Sequence, residues 1–185
     1  DTARDAVRME DFHLGQLFAH THELHRGTGH RPDGQGRTAA GDVQVMSAGT
    51  GITHSELNEE GEPTQIFQIW IMPDEKGLPP AWGSKPFPKV ERSGSFVTLA
   101  SGLSGDADAL PIRANARVVA ASLAAGQSAE YHIAAGRKVY LVPASGRIEV
   151  NGVLAATGDG LAIDDEVLLR VSAEEDSEIV LVDVT

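Results

Sequence analysis

Two residues able to bind a metal ion, His54 and Glu56, close the stretch GDVQVMSAGTGITHSE at residues 41–56. On an extended segment, residues two positions apart point to the same face, so these side chains would lie together while Ser55 points away. Imidazole nitrogen and carboxylate oxygen are both suitable ligands for a first-row divalent metal. Two ligands form only half of such a site, and an isolated H-x-E pair is more often a polar strand surface.

A second pair with the same spacing, His20 and His22, lies in the segment 18–36, which holds four of the seven histidines of the chain. If this segment is also a strand, the two imidazoles share a face, and two such pairs facing each other across a barrel would offer four ligands with open metal positions. The alternative interpretation is a solvated, histidine-rich loop that binds metal only weakly.

The elements that must position these residues are predicted to be short strands and tight turns. Val43, Val45 and Ile52 are typical strand residues, whereas Gly41-Asp42 and Gly49-Thr50-Gly51 predict turns. The chain contains 20 glycines and 9 prolines, and long helical stripes are nearly absent, so we predict an all-β fold. The best helical window is residues 1–17, where apolar residues are loosely spaced for one face.

The rest of the chain predicts two lobes joined by a linker. Residues 64–73 predict a buried strand, while residues 77–89 contain four prolines and are interpreted as an irregular strap. From residue 95 onward short strands alternate with turns, and Asn151-Gly152 predicts a two-residue hairpin. We therefore predict an N-terminal lobe at 1–76, a linker at 77–94 and a C-terminal lobe at 95–185.

Composition narrows the range of partners. The chain has 185 residues, a formal net charge of −12 and no cysteine. The negative charge opposes attraction to nucleic acid or to an anionic membrane, and no apolar stretch approaches transmembrane length. Without cysteine there is neither a disulfide framework nor a thiolate metal site, which suits a cytoplasmic protein. We expect small molecules, metal cations or other proteins as partners.

A weak internal repeat connects the two predicted lobes. GRTAAGDVQVMSAGTGITH (36–54) and NGVLAATGDGLAIDDEVLLRV (151–171) share a run of small residues, then Gly-Asp, then a strand. The histidines are not duplicated, because the second lobe has only His132, which we expect on a strand surface. The acidic residues 164–166 are expected in a solvated turn, so the C-terminal lobe is predicted to carry no metal.

The stretch GDVQVMSAGTGITHSE, followed by IFQIWI (66–71), closely resembles the pirin-like proteins of the cupin superfamily and is most similar to their bacterial quercetin dioxygenase branch. The resemblance covers roughly residues 36–185 and implies a bicupin, with two RmlC-like β-barrel or jelly-roll lobes. It implies that His54 and Glu56 belong to a three-His, one-Glu site for one divalent transition metal (Fe, Mn, Ni, Co or Cu). His20 and His22 would take the place of the family's H-P-H pair.

The N-terminal region departs from the family pattern. Thr21 stands where the family has proline, and His20 and His22 precede His54 by only 34 and 32 positions, against some forty in the family. Three interpretations stay open: a remodelled N-terminal barrel, residues absent from the sequence, or loss of this half of the site.

The resemblance also implies a reaction. A flavonol such as quercetin, a small planar phenol, would dock through its 3-hydroxyl and 4-carbonyl oxygens, lose a proton and react with dioxygen. Glu56 would be the catalytic base as well as a ligand, and Met46, Phe67 and Trp70 are predicted to line the substrate pocket. The alternatives are a non-catalytic pirin-like protein that senses metal redox state or a ligand and acts through a protein partner, and a degenerate bicupin without metal.

Overall fold

The computed structural model describes residues 6–9, 15–20, 29–31, 34–36, 39, 41–55 and 65–185, and for residues 6–36 and 53–55 it describes the backbone. The chain forms two compact units, one of Asp1–Phe87 with Leu110–Ala114 and one of Pro88–Ala109 with Asn115–Thr185. Over the described ranges every regular element is a β-strand except a short 3-10 helix at Lys89–Arg92. The all-β prediction is confirmed.

The first unit is built around a four-stranded antiparallel sheet. Its order is β7-β2-β5-β8, while β1 pairs with β6 and β3 pairs with β4. The central strand β5 has the sequence DVQVMS, and residues on both of its faces are buried. Its two edges are hydrogen bonded to β2 and β8. The strands of this region are β1 (Ala6–Met9), β2 (Gly15–His20), β3 (Gly29–Arg31), β4 (Gly34–Gly36), β5 (Asp42–Ser47), β6 (Ile52–Ser55), β7 (Ile66–Ile71) and β8 (Ala81–Pro86).

Two predictions for the first unit are wrong. The helical window at 1–17 contains β1 and the beginning of β2, whose partners β5, β6 and β7 are remote in sequence and leave no local signal. The segment 77–89 is not irregular throughout, because Ala81–Pro86 forms β8 against β5. Proline is tolerated there because Pro86 is the last residue of a strand at the end of the sheet order.

The second unit packs two antiparallel sheets around one apolar core. One sheet contains the neighbours β9-β11-β18-β13-β16, and the other has the order β12-β17-β14-β15. Inward-facing residues of both sheets, such as Val119, Leu141, Ile148 and Leu181, form the core and are at most 1% exposed. The remaining strands are β9 (Val97–Ser101), β10 (Leu110–Pro111, in the first unit), β11 (Ala116–Leu123), β12 (Ser128–His132), β13 (Lys138–Ser145), β14 (Arg147–Val150), β15 (Val153–Ala156), β16 (Leu161–Ile163), β17 (Leu168–Ala173) and β18 (Ser177–Val184).

Two turns predicted from the sequence are present in this unit. Val150 pairs with Val153 across Asn151 and Gly152, which have φ angles of 48° and 87°, as a two-residue hairpin with two left-handed residues requires. His132 is exposed on β12, and residues 164–166 are exposed.

The Gly-Asp turn identified as an internal repeat has the same hydrogen bonds in both units. The Asp42 N–H donates to the Ala39 carbonyl oxygen at 2.9 Å, and Asp42 Oδ2 accepts from the Ala39 N–H at 2.7 Å. In the second unit, the Asp159 N–H donates to the Ala156 carbonyl oxygen at 2.9 Å, and Asp159 Oδ2 accepts from the Ala156 N–H at 2.8 Å. The glycine before each aspartate has φ of 85° and 86°, respectively. Both units therefore begin a strand with the same turn.

The two units divide between Phe87 and Pro88, inside the stretch 77–94. The lobe boundaries taken from the sequence, and the role of this stretch as a linker, stay a prediction. Within the described part of the chain, no helix has the length and apolar character needed to cross a membrane.

Candidate metal centre

A glycine turn between β5 and β6 leads the chain to His54. Gly49 has φ of 57°, and a Cβ at this position would collide with the carbonyl oxygen of Leu78, so the backbone conformation and the close approach both require glycine. The N–H of Thr50 donates to the same Leu78 oxygen at 2.9 Å. The predicted turn is therefore present, and it is fixed by contact with Leu78 of its own unit.

The predicted ligands fall on separate strands. His54 is the third residue of β6 and pairs with β1. His20 is the last residue of β2, and its Cα pairs with that of Ile66 on β7. His22 and Glu56 lie outside the described residues. The four-ligand site, and the role of Glu56 as base, stay predictions.

The register assigns His20 to one face of the four-stranded sheet, which we call the Gln44 face. Directly paired residues of antiparallel strands share a face, and residues two apart on a strand return to it. The positions of the Gln44 face are Ile66, Gln68 and Trp70 on β7, Gln16, Phe18 and His20 on β2, Asp42, Gln44 and Met46 on β5, and Trp82, Ser84 and Pro86 on β8.

The three predicted pocket residues divide between the two faces of this sheet. Met46 and Trp70 both pair with Gln16, so they stand in one row of the Gln44 face. Met46 is 1% exposed and Trp70 is 48% exposed. Phe67 stands in the row of Val43, on the opposite face. The register thus brings Met46 and Trp70 together and separates Phe67 from them.

The predicted donor set fits a divalent transition metal by its chemistry. Three neutral imidazoles and one carboxylate offer nitrogen and oxygen ligands and leave coordination positions open. Two of the four residues occupy strand positions in the described backbone of the same unit, His20 on β2 and His54 on β6. Among the side chains that the structure describes, no group of three or more His, Cys, Asp or Glu residues could hold a metal, so these residues offer no competing centre.

Gln44 is a residue of this face that sequence reasoning missed. A polar residue between Val43 and Val45 predicts a solvated position, yet Gln44 is 2% exposed. On the opposite face, Gly83 of β8 lies against Leu110. The only hint of this burial in the sequence is that a polar amide stands in the middle of a strand that is otherwise rich in apolar residues.

The second unit contains a buried ionic cluster that the sequence reasoning also missed. Asp183 Oδ1 accepts from Arg137 Nε at 2.5 Å, and Oδ2 accepts from the Tyr131 hydroxyl at 2.6 Å. Arg137 Nη1 also donates to Asn115 Oδ1 at 2.7 Å. Burial, and next the hydrogen bond to Asp183, raise the pKa of the Tyr131 hydroxyl above its ordinary range. These residues are distant in sequence, so no motif announces the cluster.

A second ion pair in this unit joins Asp106 and Arg117. Arg117 Nε donates to Asp106 Oδ2 at 2.6 Å, and the Ser101 hydroxyl donates to the same oxygen at 2.6 Å. The hydrogen bond from Arg117, followed by that from Ser101, lowers the pKa of the Asp106 carboxyl. In the Asp183 cluster and in the Asp106 pair, the charged side chains are hydrogen bonded to partners within the second unit.

Comparison with protein families gives two matches along the chain. A family model described as pirin matches residues 24–71, and one described as the quercetinase C-terminal cupin domain matches residues 98–184. The first range contains His54 and Glu56 and begins after His22. The H-x-E half of the predicted site therefore lies inside the matched range, and the H-x-H half lies outside it.

Individual relatives agree with these matches. The chain is 66% identical over 150 residues to a Pseudomonas aeruginosa protein provisionally named quercetin 2,3-dioxygenase, a match that covers 81% of this chain and 65% of that protein. It is 37% identical over 163 residues to quercetin 2,3-dioxygenase of Escherichia coli K12, covering 85% of this chain and 68% of that protein. The chain thus spans about two thirds of the length of the curated relatives that it matches.

Among solved structures, a bacterial pirin from Escherichia coli in complex with nickel(II) resembles this chain. The TM-score is 0.82 at 31% sequence identity, over 98% of this chain and 76% of that one. The similarity in fold therefore extends across both units of the chain.

Proposed function

Because the chain belongs to the pirin family of the cupin superfamily, we propose that it is a metal-dependent dioxygenase that cleaves flavonols such as quercetin with dioxygen. Its fold is the all-β bicupin of that family. The observation that carries the proposal is the sequence similarity to a quercetin 2,3-dioxygenase, at 37% identity over 85% of this chain. The substrates would be a small planar phenol and dioxygen, in the cytoplasm.

The residues that would hold the metal are His20, His22, His54 and Glu56. A divalent ion bound there would supply Lewis-acid activation of the flavonol 3-hydroxyl and of dioxygen. The glycine turn that precedes β6 is held by the contact of Gly49 and the hydrogen bond of Thr50 with the Leu78 carbonyl oxygen. A fixed start to the strand favours one orientation of the H-x-E segment.

Glu56 would accept the proton of the flavonol 3-hydroxyl. A carboxylate is a suitable base because its basicity can be matched to a phenolic or enolic proton when it lies within hydrogen-bond reach. The imidazoles of His20, His22 and His54 would fix the metal. Trp70, which is 48% exposed, would contact the aromatic rings of the substrate, and Met46, buried in the same row of the Gln44 face, would support that wall.

The test combines metal analysis with oxygen uptake. Wild-type protein, His54→Ala and the control His132→Ala are purified and reconstituted with each candidate metal. His132 is exposed on β12 of the second unit, so its loss should change neither measurement. We expect about one equivalent of metal and quercetin-dependent oxygen uptake in the wild type and in His132→Ala, and neither in His54→Ala. Metal-free wild-type protein after reconstitution would contradict the proposal.

A separate variant tests the base. Glu56→Gln should retain most of the metal, because an amide oxygen can still coordinate, but should lower the turnover of quercetin by at least about 100-fold. If Glu56→Gln loses metal and turnover to the same extent, Glu56 is a metal ligand and has no role as base.

A non-catalytic pirin is the second candidate, and two observations favour it. The pirin match begins at residue 24, after the histidines that should complete the site, and the H-x-H pair lacks the family's proline. Such a protein could sense metal or a ligand and act through a protein partner. It would bind metal but show no quercetin-dependent oxygen uptake. A degenerate bicupin would show neither metal binding nor oxygen uptake.

A further inference from the structure

One edge of the smaller sheet in the second unit carries backbone hydrogen-bonding groups that have no partner in the described part of the chain. The strand order is β12-β17-β14-β15, so β12 is an outer strand. Its register with β17 is regular, from Ser128 opposite Ser172 to His132 opposite Leu168. A regular outer strand without a bulge or a proline can pair with a further strand.

A hydrogen bond just beyond β12 shows which of its residues face this free edge. The Ile133 N–H donates to the Val167 carbonyl oxygen at 3.0 Å, so Ile133 turns its backbone groups toward β17. In an antiparallel pair, every second residue is hydrogen bonded to the same neighbouring strand. Ser128, Glu130 and His132 therefore turn their N–H and C=O groups away from β17, toward the free edge.

The side chains of β12 differ between the two faces of the sheet. Those of Ser128, Glu130 and His132 are exposed on the outer face. On the inner face, Ala129 is 6% exposed and Ile133 is 5% exposed, and both belong to the apolar core. A strand added beside β12 would therefore have every second side chain next to the exposed polar row and the others next to the edge of the core. This arrangement favours a segment in which polar and apolar residues alternate.

The charge of the outer face favours a basic segment. A groove of about 640 Å³, which we call the Glu130 groove, is lined by the carboxylates of Glu130, Glu149 and Glu166. Arg170 is the one basic residue that lines it, and its Nε already donates to Glu130 Oε1 at 2.9 Å. The carboxylates thus exceed the cations in this groove, so it attracts lysine or arginine side chains.

The same charges disfavour a second copy of this chain at the free edge. Each copy has a formal net charge of −12. An antiparallel pair of two β12 strands centred on Glu130 would set the two glutamates directly opposite each other, and like charges in that position are destabilising.

We propose that the free edge of β12 is a docking site for an extended, basic segment of a protein partner. The segment adds antiparallel to β12, with its basic side chains in the Glu130 groove. Backbone hydrogen bonds to the free edge supply affinity, and the carboxylates select the charge of the partner. The inference does not depend on the proposed dioxygenase, because it uses none of the predicted metal ligands and lies within the second unit.

The probe is a short fluorescein-labelled peptide in which lysine and valine alternate, and binding to the full chain is measured by fluorescence anisotropy. In the proposed pairing the lysine side chains share the face of Glu130, so the lysine N–H groups point toward β12 and the valine N–H groups point away. Matched peptides carry backbone N-methyl groups on the lysines or on the valines. The variants are Glu130→Gln and the control Glu91→Gln, which changes the net charge equally at an exposed residue outside the Glu130 groove.

We expect Glu130→Gln to weaken binding about 5-fold, as loss of one exposed ion pair predicts, and Glu91→Gln to bind as wild type does. Methylation of the lysine N–H groups should weaken binding at least about 10-fold, because several backbone hydrogen bonds are lost. Methylation of the valine N–H groups should leave binding within about 2-fold, because those groups point away from β12.

Amide hydrogen exchange of the wild type, followed by NMR, locates the contact without any variant. When the peptide is bound, the N–H groups of Ser128, Glu130 and His132 should exchange at least about 10-fold more slowly. The N–H groups of Ala129 and Tyr131 face β17 and should exchange as before.

The proposal is overturned if wild-type protein does not bind the peptide at concentrations up to about 1 mM. Equal binding by Glu130→Gln and Glu91→Gln, or binding without slower exchange at the three amides, would also overturn it, since either result means attraction to the charge of the whole chain. Slower exchange of the same amides in the protein alone, as its concentration rises, would mean that a second copy pairs with β12 and would overturn the basic partner.

Discussion

Replacing Asp183 with asparagine should destabilise the second unit strongly while changing almost no volume. The Asp183 side chain is 1% exposed and its partner Arg137 is 8% exposed. Asparagine keeps the shape but removes the negative charge, and its NH2 group must face either the Arg137 guanidinium or the Tyr131 hydroxyl. The substitution therefore leaves a buried cation without its counter-charge. It also sets the NH2 group against a second donor if that group faces Arg137, or forces the Tyr131 hydroxyl to accept instead of donate if it faces Tyr131.

The magnitude follows from the burial of this pair. Breaking a buried ion pair by removing one partner typically costs about 3–5 kcal/mol, because the remaining charge is desolvated and unpaired. Arg137 keeps its bonds to Asn115 and to the Asp183 carbonyl oxygen, so we expect about 3 kcal/mol rather than the upper end of that range. For a chain of this size that corresponds to roughly 6–12 °C in Tm.

The assay is urea unfolding of the full chain, followed by circular dichroism, with Glu130→Gln as the control. Glu130 accepts from Arg170 Nε at 2.9 Å in the same unit, but the two side chains are 53% and 72% exposed. An exposed pair contributes at most about 1 kcal/mol. The two substitutions make the same chemical change, so their difference measures the effect of burial.

The reasoning is refuted if Asp183→Asn lowers the free energy of unfolding by no more than Glu130→Gln does. That result would mean that the Arg137 charge is solvated or neutralised in some other way. A large loss in both variants would instead point to an effect of amide substitution unrelated to burial.

Two further predictions concern a titration and a turn. Because the pKa of Tyr131 is raised, the folded state holds the hydroxyl proton more tightly than the unfolded state does. The contribution of this hydroxyl to the free energy of unfolding is therefore complete below about pH 10 and is lost as the pH rises above that value. An alkaline absorbance titration should show a late ionisation step that Tyr131→Phe abolishes, and an ordinary ionisation in its place would contradict the burial of the hydroxyl. At Gly49, alanine should cost more than about 2 kcal/mol in urea unfolding because its Cβ meets Leu78 and Pro79. Gly77→Ala, at φ of 76° with no atom within 4 Å of its Cβ, should cost about 1 kcal/mol; equal losses would show that the collision relaxes.

Much of the second unit could be predicted from the sequence, because its signals are local. Short strands separated by turns follow one another from β9 onward, as predicted, and the predicted Asn151-Gly152 hairpin is present with its two left-handed residues. The first unit was harder: β1 and β2 depend on partners remote in sequence, and β8 lies among prolines that only its outer position in the sheet tolerates. These are properties of the assembled sheet rather than of any window of residues.

The candidate site shows the same division between local and assembled information. The separation of Phe67 from Trp70 could have been predicted, because positions three apart on a strand must lie on opposite faces. The burial of Gln44 could not have been predicted. Side chains alternate between the two faces of a strand, so with Val43 and Val45 on the buried face the amide is expected in solvent unless both faces are covered. Whether a strand is covered on both sides depends on the whole unit.

The repeated Gly-Asp turn shows why fold and function are specified by different residues here. Asp42 and Asp159 make the same two hydrogen bonds to the alanine three residues earlier, and each is followed by a strand, so the turn serves the fold in both units. Only after the first turn does the chain continue to His54 and Glu56. A pattern that repeats can predict a bicupin but not its chemistry, because the chemistry depends on side chains that one copy has and the other lacks. The activity must therefore be tested at those side chains, in the first unit.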